Sequence, residues 1–375
     1  MTQFFRPTPL QRRNIGKIIP FGFIWFAFAV IYLLLERGFL GDLNHYPSTG
    51  NAYEFGSAFI ITSICSLLMG WLLGALEILV INRLFVRRSF GAKIVIKTAL
   101  YLLLICTFIV LVATLVNAYE LELSPFDPDV LQNISVFFGD LSFWSLVLYA
   151  GAVIGVTLFV SEVSDNLGQG VLKNFLTGKY HQPREEQRIF MFLDMKSSTA
   201  IAEQLGHVQY FQMLNKFYAD ITDAVLQSCG EIYQYVGDEI IISWNMSEGL
   251  RDNNCLSCFF LVKDIVAGER LQYEESFGIV PEFKAGLHYG DVSTGELGVI
   301  KKEIVFSGDV LNTTSRIQSA CKEHEVDLLI SNDLLAVLHP DEKYAIEAVG
   351  DCELRGKIKR VRLSTVQRTR PHSSP

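Results

Sequence analysis

The sequence predicts two folds in series: an all-α domain of four membrane-spanning helices, then an α+β domain. Three observations predict it. Half of the 375 residues are apolar and mean hydropathy is +0.29, with the excess concentrated before residue 165. That excess falls into four long apolar runs. After Pro183, short β-branched and aromatic runs alternate with helical patterns. The expected segmentation is 1–160 for the four-span domain, 161–183 for an amphipathic connector, 184–368 for the α+β domain and 369–375 for a disordered tail.

The first run, Ile18 to Leu35, follows Arg12, Arg13 and Lys17, as a signal sequence would. It is too long for a signal core and no small-residue cleavage site follows, so it reads as a retained helix. Three more candidates lie at about Gly56 to Ile81, Ile94 to Ala118 and Asp140 to Phe159. Each is long enough to cross a hydrocarbon core of roughly 30 Å. Arg6, Arg12, Arg13 and Lys17 precede the first run, and Arg83, Arg87, Arg88 and Lys93 follow the second. The other two connections are poor in basic residues and carry Asp42, Glu120, Glu122, Asp127 and Asp129. The positive-inside rule then places the N-terminus, the middle loop and the C-terminal half in the cytoplasm of a multi-pass cell-membrane protein, with the bilayer as a partner. Glu77 is the one acidic residue well inside a span. Two readings stay open for it, a functional carboxylate facing the bundle or a residue near the cytoplasmic end of its helix.

Val163, Leu167, Val171 and Phe175 recur every four residues, broken by Gly168 and Gly170. The pattern fits either a short amphipathic helix that pairs with its copy or a plain linker. Beyond Pro183, a strand from Arg188 to Asp194 leads into a helix over Ser197–Gln227 in two sections around Gly206. A hairpin follows at Glu231–Trp244, then a helix at 254–275 and a strand at 281–289. Another strand and turn come next, then a helix at 311–323, a strand at 327–330, a helix at 332–338 and a final strand pair. The seven cysteines are scattered. Cys255 and Cys258 form a lone CxxC with no second pair at finger spacing, so they read as two thiols on one helix face. Net charge of −8 argues against a nucleic-acid partner.

The chemistry is concentrated at strand ends. Asp194 closes the apolar run FMFLD, and Asp238 sits in the Gly-Asp-Glu turn of EIYQYVGDEIIISW. Two strand-terminal carboxylates can clamp divalent ions and leave positions open for phosphates. Ser197, Ser198 and Thr199 open the helix after Asp194, where free N–H groups and hydroxyls attract an anion, although one of them is expected to serve as a cap. In VFSGDVLNTTSRIQ, Asn312 and Arg316 stand at i and i+4 on one face, placed to grip a ribose oxygen and a phosphate. Arg355 in ELRGKIKR is placed to reach a polyphosphate, or to form a solvated basic edge with Lys357.

Five ordered pieces, FMFLDMKSST, EIYQYVGDEIIISW, FKAGLHYGDVSTGELG, VFSGDVLNTTSRIQ and ELRGKIK, together resemble the class III adenylate and guanylate cyclase catalytic domain over Arg188 to Val366. The resemblance implies a ferredoxin-like sheet and a homodimer with composite active sites. It implies two Mg²⁺ or Mn²⁺ per site on Asp194 and Asp238, a ribose contact at Asn312, α-phosphate stabilisation by Arg316 and terminal-phosphate binding by Arg355. The implied activity is that of an adenylate cyclase, with the 3′-hydroxyl attacking the α-phosphate in line and pyrophosphate leaving.

One departure concerns the base. The family's adenine-reading Lys and Asp or Thr are replaced by Gln234 and Val305, and the guanine-reading Glu and Cys are absent too. Gln234 can donate and accept toward adenine, whereas the Val305 side chain cannot. ATP is the expected nucleoside triphosphate, with GTP or a pyrimidine triphosphate as the alternative. A catalytically silent nucleotide-binding sensor is the reading from another class. A diguanylate cyclase shares the Gly-Asp-Glu turn but has two glycines before the Asp and no place for SGDVLNTTSR.

Overall fold

The structure is a computed structural model that describes residues 8–45, 53–85, 88–168, 170–352 and 360–369. Gln11–Leu172 form one compact unit, and the chain from Lys173 onward, grouped with the residues up to Leu10, belongs to a second.

The first unit is helical. It contains α1 (Pro9–Leu40), α2 (Phe55–Leu76), the short α3 (Asn82–Leu84), α4 (Phe90–Glu120), α5 (Pro128–Gly139) and α6 (Leu141–Leu167). A π-helical turn, Glu77–Ile81, joins α2 to α3. Four stretches are long and apolar enough to cross a membrane: Pro9–Leu40, Phe55–Ile81, Phe90–Tyr119 and Phe143–Leu167. These coincide with the four sequence candidates and extend most of them, because polar residues at the ends continue the backbone helix. The 12-residue α5 was not expected, as it lies in a connection too short to span. Large apolar side chains such as Phe23, Leu72, Leu103 and Leu148 face outward, while Phe21, Leu73, Tyr101, Ile154 and Leu158 pack inside. A water-soluble bundle would bury the first group; a lipid-facing one leaves it out.

The second unit begins with α7 (Val171–Thr177), whose first two residues fall before the boundary, and is built on an eight-stranded sheet. Its strands are β1 (Arg184–Met195), β2 (Glu231–Val236), β3 (Glu239–Asn245), β4 (Phe283–Leu297), β5 (Glu303–Ser307), β6 (Leu328–Ser331), β7 (Tyr344–Cys352) and β8 (Val361–Arg368). The order is β2-β3-β1-β4-β6-β8-β7, with β5 on the far end of β4. The helices are α8 (Ser198–Gln227), α9 (Met246–Leu250), α10 (Asn254–Gly268), α11 (Arg270–Phe277), α12 (Asp309–Ala320) and α13 (Asn332–Leu338). The run β1-α8-β2-β3-α10-β4, with β4-β1-β3-β2 adjacent and antiparallel, is the ferredoxin-like core.

Burial explains why β1 reads as unbroken apolar sequence. Ile189, Met191 and Leu193 face α8 and α10, where Met213, Phe217, Ile221, Phe259 and Val262 complete the main core. Phe190 and Phe192 point to the opposite face with Ile241, Phe306 and Val310. A strand covered on both sides has no polar alternation. Two strands run further than their hydropathy. β1 starts at Arg184 and β4 continues to Leu297, because the polar Arg184–Gln187 pairs with residues 291–294 and β5 pairs with 293–297. The expected helix at 254–275 is two, parted at Glu269. The kink at Gly206 in α8 falls where it was expected.

Candidate active site

Asp194 lies at the end of β1, opposite Glu239 on β3 and Lys284 on β4. The two-residue side-chain period puts Asp194, Glu239 and Lys284 in one row on the α12 face, since their neighbours Leu193, Ile240 and Ala285 point into the other core. Asp238 occupies the adjoining β2–β3 turn. Gly237 there has φ 65°, a left-handed value that costs a residue without Cβ little. Tyr218 donates from its hydroxyl to the Gly237 carbonyl at 2.9 Å, tying the turn to α8.

The two aspartates are within hydrogen-bonding reach of each other. Burial, and then repulsion from Asp238, raises the Asp194 pKa above the ordinary carboxylate range, while Lys284 and Gln318 work to lower it. Lys284 Nζ is 3.4 Å from Asp194 Oδ2, and Gln318 Nε2 donates to the same oxygen at 2.9 Å. Glu239 is pushed up to about 7, by burial first and then by Asp194 and Asp238. So much like charge at one strand end is costly in this form. A hard dication held by Asp194 and Asp238 would remove the cost, so the donor set fits Mg²⁺ or Mn²⁺. Among the described residues no group of three or more metal-ligating side chains converges, which leaves the aspartate pair as the candidate holder.

Ser197 adopts left-handed backbone (φ 56°) and its side chain makes no cap hydrogen bond at the α8 start. The expected capping use is therefore not seen for Ser197. Ser198 is half-buried beside Tyr210, and Ser197 and Thr199 are exposed. On α12, Val310, Thr313, Thr314, Ile317 and Gln318 are buried. Asn312 is exposed and Arg316 half-buried, both on the flank turned from the sheet. No hydrogen bond or ion pair among the described residues joins either of them to Asp194 or Asp238. Gln234 is exposed on β2 beside a bulge, and Val305 is half-buried on β5. Their neighbours Tyr233 and Phe306 touch, with ring centroids 4.7 Å apart. Arg355 lies outside the described residues.

Sequence reasoning missed Lys284, Gln318, Glu239 and Tyr218. Gln318 and Lys284 stand within quoted motifs, but only the folded sheet shows that both meet Asp194. A Lys between Phe283 and Ala285, in an otherwise apolar strand, was the available signal.

Residues 180–367 match the family model described as the adenylate and guanylate cyclase catalytic domain. Adenylate cyclase 2 of Rhizobium meliloti (strain 1021) is 35% identical over 213 residues, which cover 57% of this chain and 59% of that protein. Guanylate cyclase D of Mus musculus is 28% identical over 177 residues, 46% of this chain and 15% of that protein. The chain thus spans less than two thirds of the length of these relatives. A solved structure of a bacterial light-regulated adenylyl cyclase superposes with a TM-score of 0.51 at 15% identity, covering 61% of this chain and 66% of that one, a likeness of fold.

Proposed function

The chain belongs to the adenylate and guanylate cyclase family, and we propose that it is a membrane-bound, homodimeric adenylate cyclase that converts ATP to 3′,5′-cyclic AMP and pyrophosphate. The observation that carries this reading is the Asp194–Asp238 pair at the ends of neighbouring strands, backed by Gln318 and Lys284. Asp194 and Asp238 would hold the divalent ions. Bound there, such ions lower the pKa of the substrate 3′-hydroxyl and offset triphosphate charge. The 3′-oxygen forms its bond to the α-phosphorus as the bond to the bridging oxygen breaks; pyrophosphate leaves and the hydroxyl proton passes to solvent. Arg316 presents a guanidinium to the charge that develops on the α-phosphate, and Asn312 positions the ribose. Ser197, Ser198 and Thr199 border the phosphates at the α8 start, with Arg355 for the terminal ones. The outward flank of α12 supports a composite site, because among the described residues neither Asn312 nor Arg316 is bonded to Asp194 or Asp238 of its own chain.

Similarity to the Rhizobium meliloti adenylate cyclase supports ATP, with Gln234 and Val305 at the base. The four apolar helices and the basic residues at α1 and α4 support membrane insertion with the catalytic domain in the cytoplasm. The segmentation 1–160, 161–183, 184–368 and 369–375 belongs to the same proposal. Incubating the purified chain with each nucleoside triphosphate and Mn²⁺ tests it, with cyclic AMP from ATP as the expected product. Cyclic GMP or a cyclic pyrimidine nucleotide would move the substrate assignment. Nucleotide binding without turnover, unchanged in Asp238→Ala, would replace the enzyme with a silent sensor.

A further inference from the structure

The helical unit contains a polar cavity that the catalytic reading does not use. It lies where the start of α1, the end of the second span, the start of α4 and the end of α6 come together. Its volume is about 310 Å³, and Arg13, Lys17, Asn82, Lys93, Glu162 and Asp165 line it together with Asn166. That is the lower end of the range for small-ligand pockets.

The charges in and behind this cavity do not cancel. Lys17 pairs with Asp165 at 2.5 Å, and Asn82 donates to the same carboxylate at 3.4 Å. Lys93 pairs with Glu162 at 2.6 Å. Behind them Lys97 pairs with Glu77 at 2.5 Å, and Tyr101 donates to Glu77 at 2.8 Å. Each carboxylate therefore has its own lysine. Arg13 has no ion pair among the described residues, and its Nε is shielded from solvent without an acceptor. One guanidinium is left over, at a wall whose two ammonium groups are each matched by a carboxylate, so the excess is a single positive charge. Its planar fork matches the oxygens of a phosphate.

We infer that this cavity is a binding site for a phosphate group, anchored by Arg13 beside the paired Lys17 and Lys93. The phosphate has two possible sources of the same chemistry: the headgroup of an anionic phospholipid or a free phosphate. The site does not depend on the catalytic assignment.

The test uses the full chain in lipid nanodiscs, in metal-free buffer. One arm compares phosphatidylcholine discs with discs containing phosphatidylglycerol and counts retained lipid by native mass spectrometry. The other titrates inorganic phosphate into phosphatidylcholine discs. Binding in either arm is expected to weaken roughly tenfold in Arg13→Gln and to persist in Arg12→Gln, since Arg12 is exposed outside the cavity. Asn166→Asp, which adds a negative charge to the cavity wall, is expected to weaken it as well and serves if Arg13→Gln does not assemble. Absence of binding in both arms, or binding indifferent to the cavity variants, would overturn the site.

Discussion

Gln318 shows how one residue outside the reacting set can govern it. It is 4% exposed, and its amide is a direct donor to Asp194. Hydrogen bonds to a charged group contribute about 1.5–3 kcal/mol. Gln318→Ala should therefore lower kcat/KM roughly tenfold or more and raise the Mn²⁺ concentration for half-maximal activity. Steady-state assays across a metal titration check this, and Gln318→Glu should not rescue because it sets a carboxylate against Asp194 where the amide donated. Asp238→Ala should abolish turnover and leave the circular dichroism spectrum intact, since Asp238 sits in a turn and outside the core. Glu239, held near 7 by burial and its neighbours, keeps its proton below that value. The Asp194–Asp238 site should then lose affinity for Mn²⁺ as pH falls from about 8 to 5, because protonating Glu239 removes a negative charge beside it. Metal titrations read by electron paramagnetic resonance measure it.

At the scale of elements, the approach of α12 to the sheet sets the site. A Cβ on Gly286 would lie 2.4 Å from the Gln318 backbone nitrogen and 2.8 Å from its Cα. Gly286→Ala must push the helix outward, at a cost of about 1–3 kcal/mol. Both unfolding temperature and activity should fall. β6 is tied to the rest differently. The turn before it carries Asp327, which accepts from Lys196 at 2.5 Å and Lys263 at 2.6 Å. Burial acts to raise its pKa, but those hydrogen bonds outweigh it and hold the carboxyl below its ordinary range. A depressed carboxylate stabilises above its unfolded pKa and loses that contribution as pH falls through the folded value. Asp327→Asn should thus lower Tm at pH 7, and the gap to wild type should close below about pH 4.

At the scale of the whole molecule, composite sites make a prediction that no single chain can satisfy. Asp194→Ala and Arg316→Ala should each be inactive, yet co-expressed they should recover roughly a quarter of wild-type activity. Half of randomly paired dimers are mixed, and each of those has one complete site. Recovery near zero would place the whole site within one chain. The helical unit has its own internal constraint. Glu77 and Lys97 are 2% and 1% exposed, so removing one partner strands a buried charge. Glu77→Gln should destabilise by about 3 kcal/mol, and Lys97→Met added to it should restore much of the loss, read by thermal unfolding in detergent.

The sequence by itself determined the four apolar spans and the α+β alternation, and its motifs carried the family resemblance that implied a ferredoxin-like sheet. These properties follow from run length, period and local motif, which are written residue by residue. It also showed the two aspartates at strand ends, because an acid after a buried run has few other places to go. It did not show the row that joins Asp194 to Glu239 and Lys284, since cross-strand register is set by pairing between segments distant in the chain. The partners of Glu77 were hidden for the same reason: Lys97 and Tyr101 lie on another helix. The polar ends of β1 and β4 lie outside the strands expected at 188–194 and 281–289, and only their mutual pairing makes them continuous with those strands. Composition and period fixed which elements exist. Tertiary packing decided which charges meet, because electrostatic partners are chosen by distance in space.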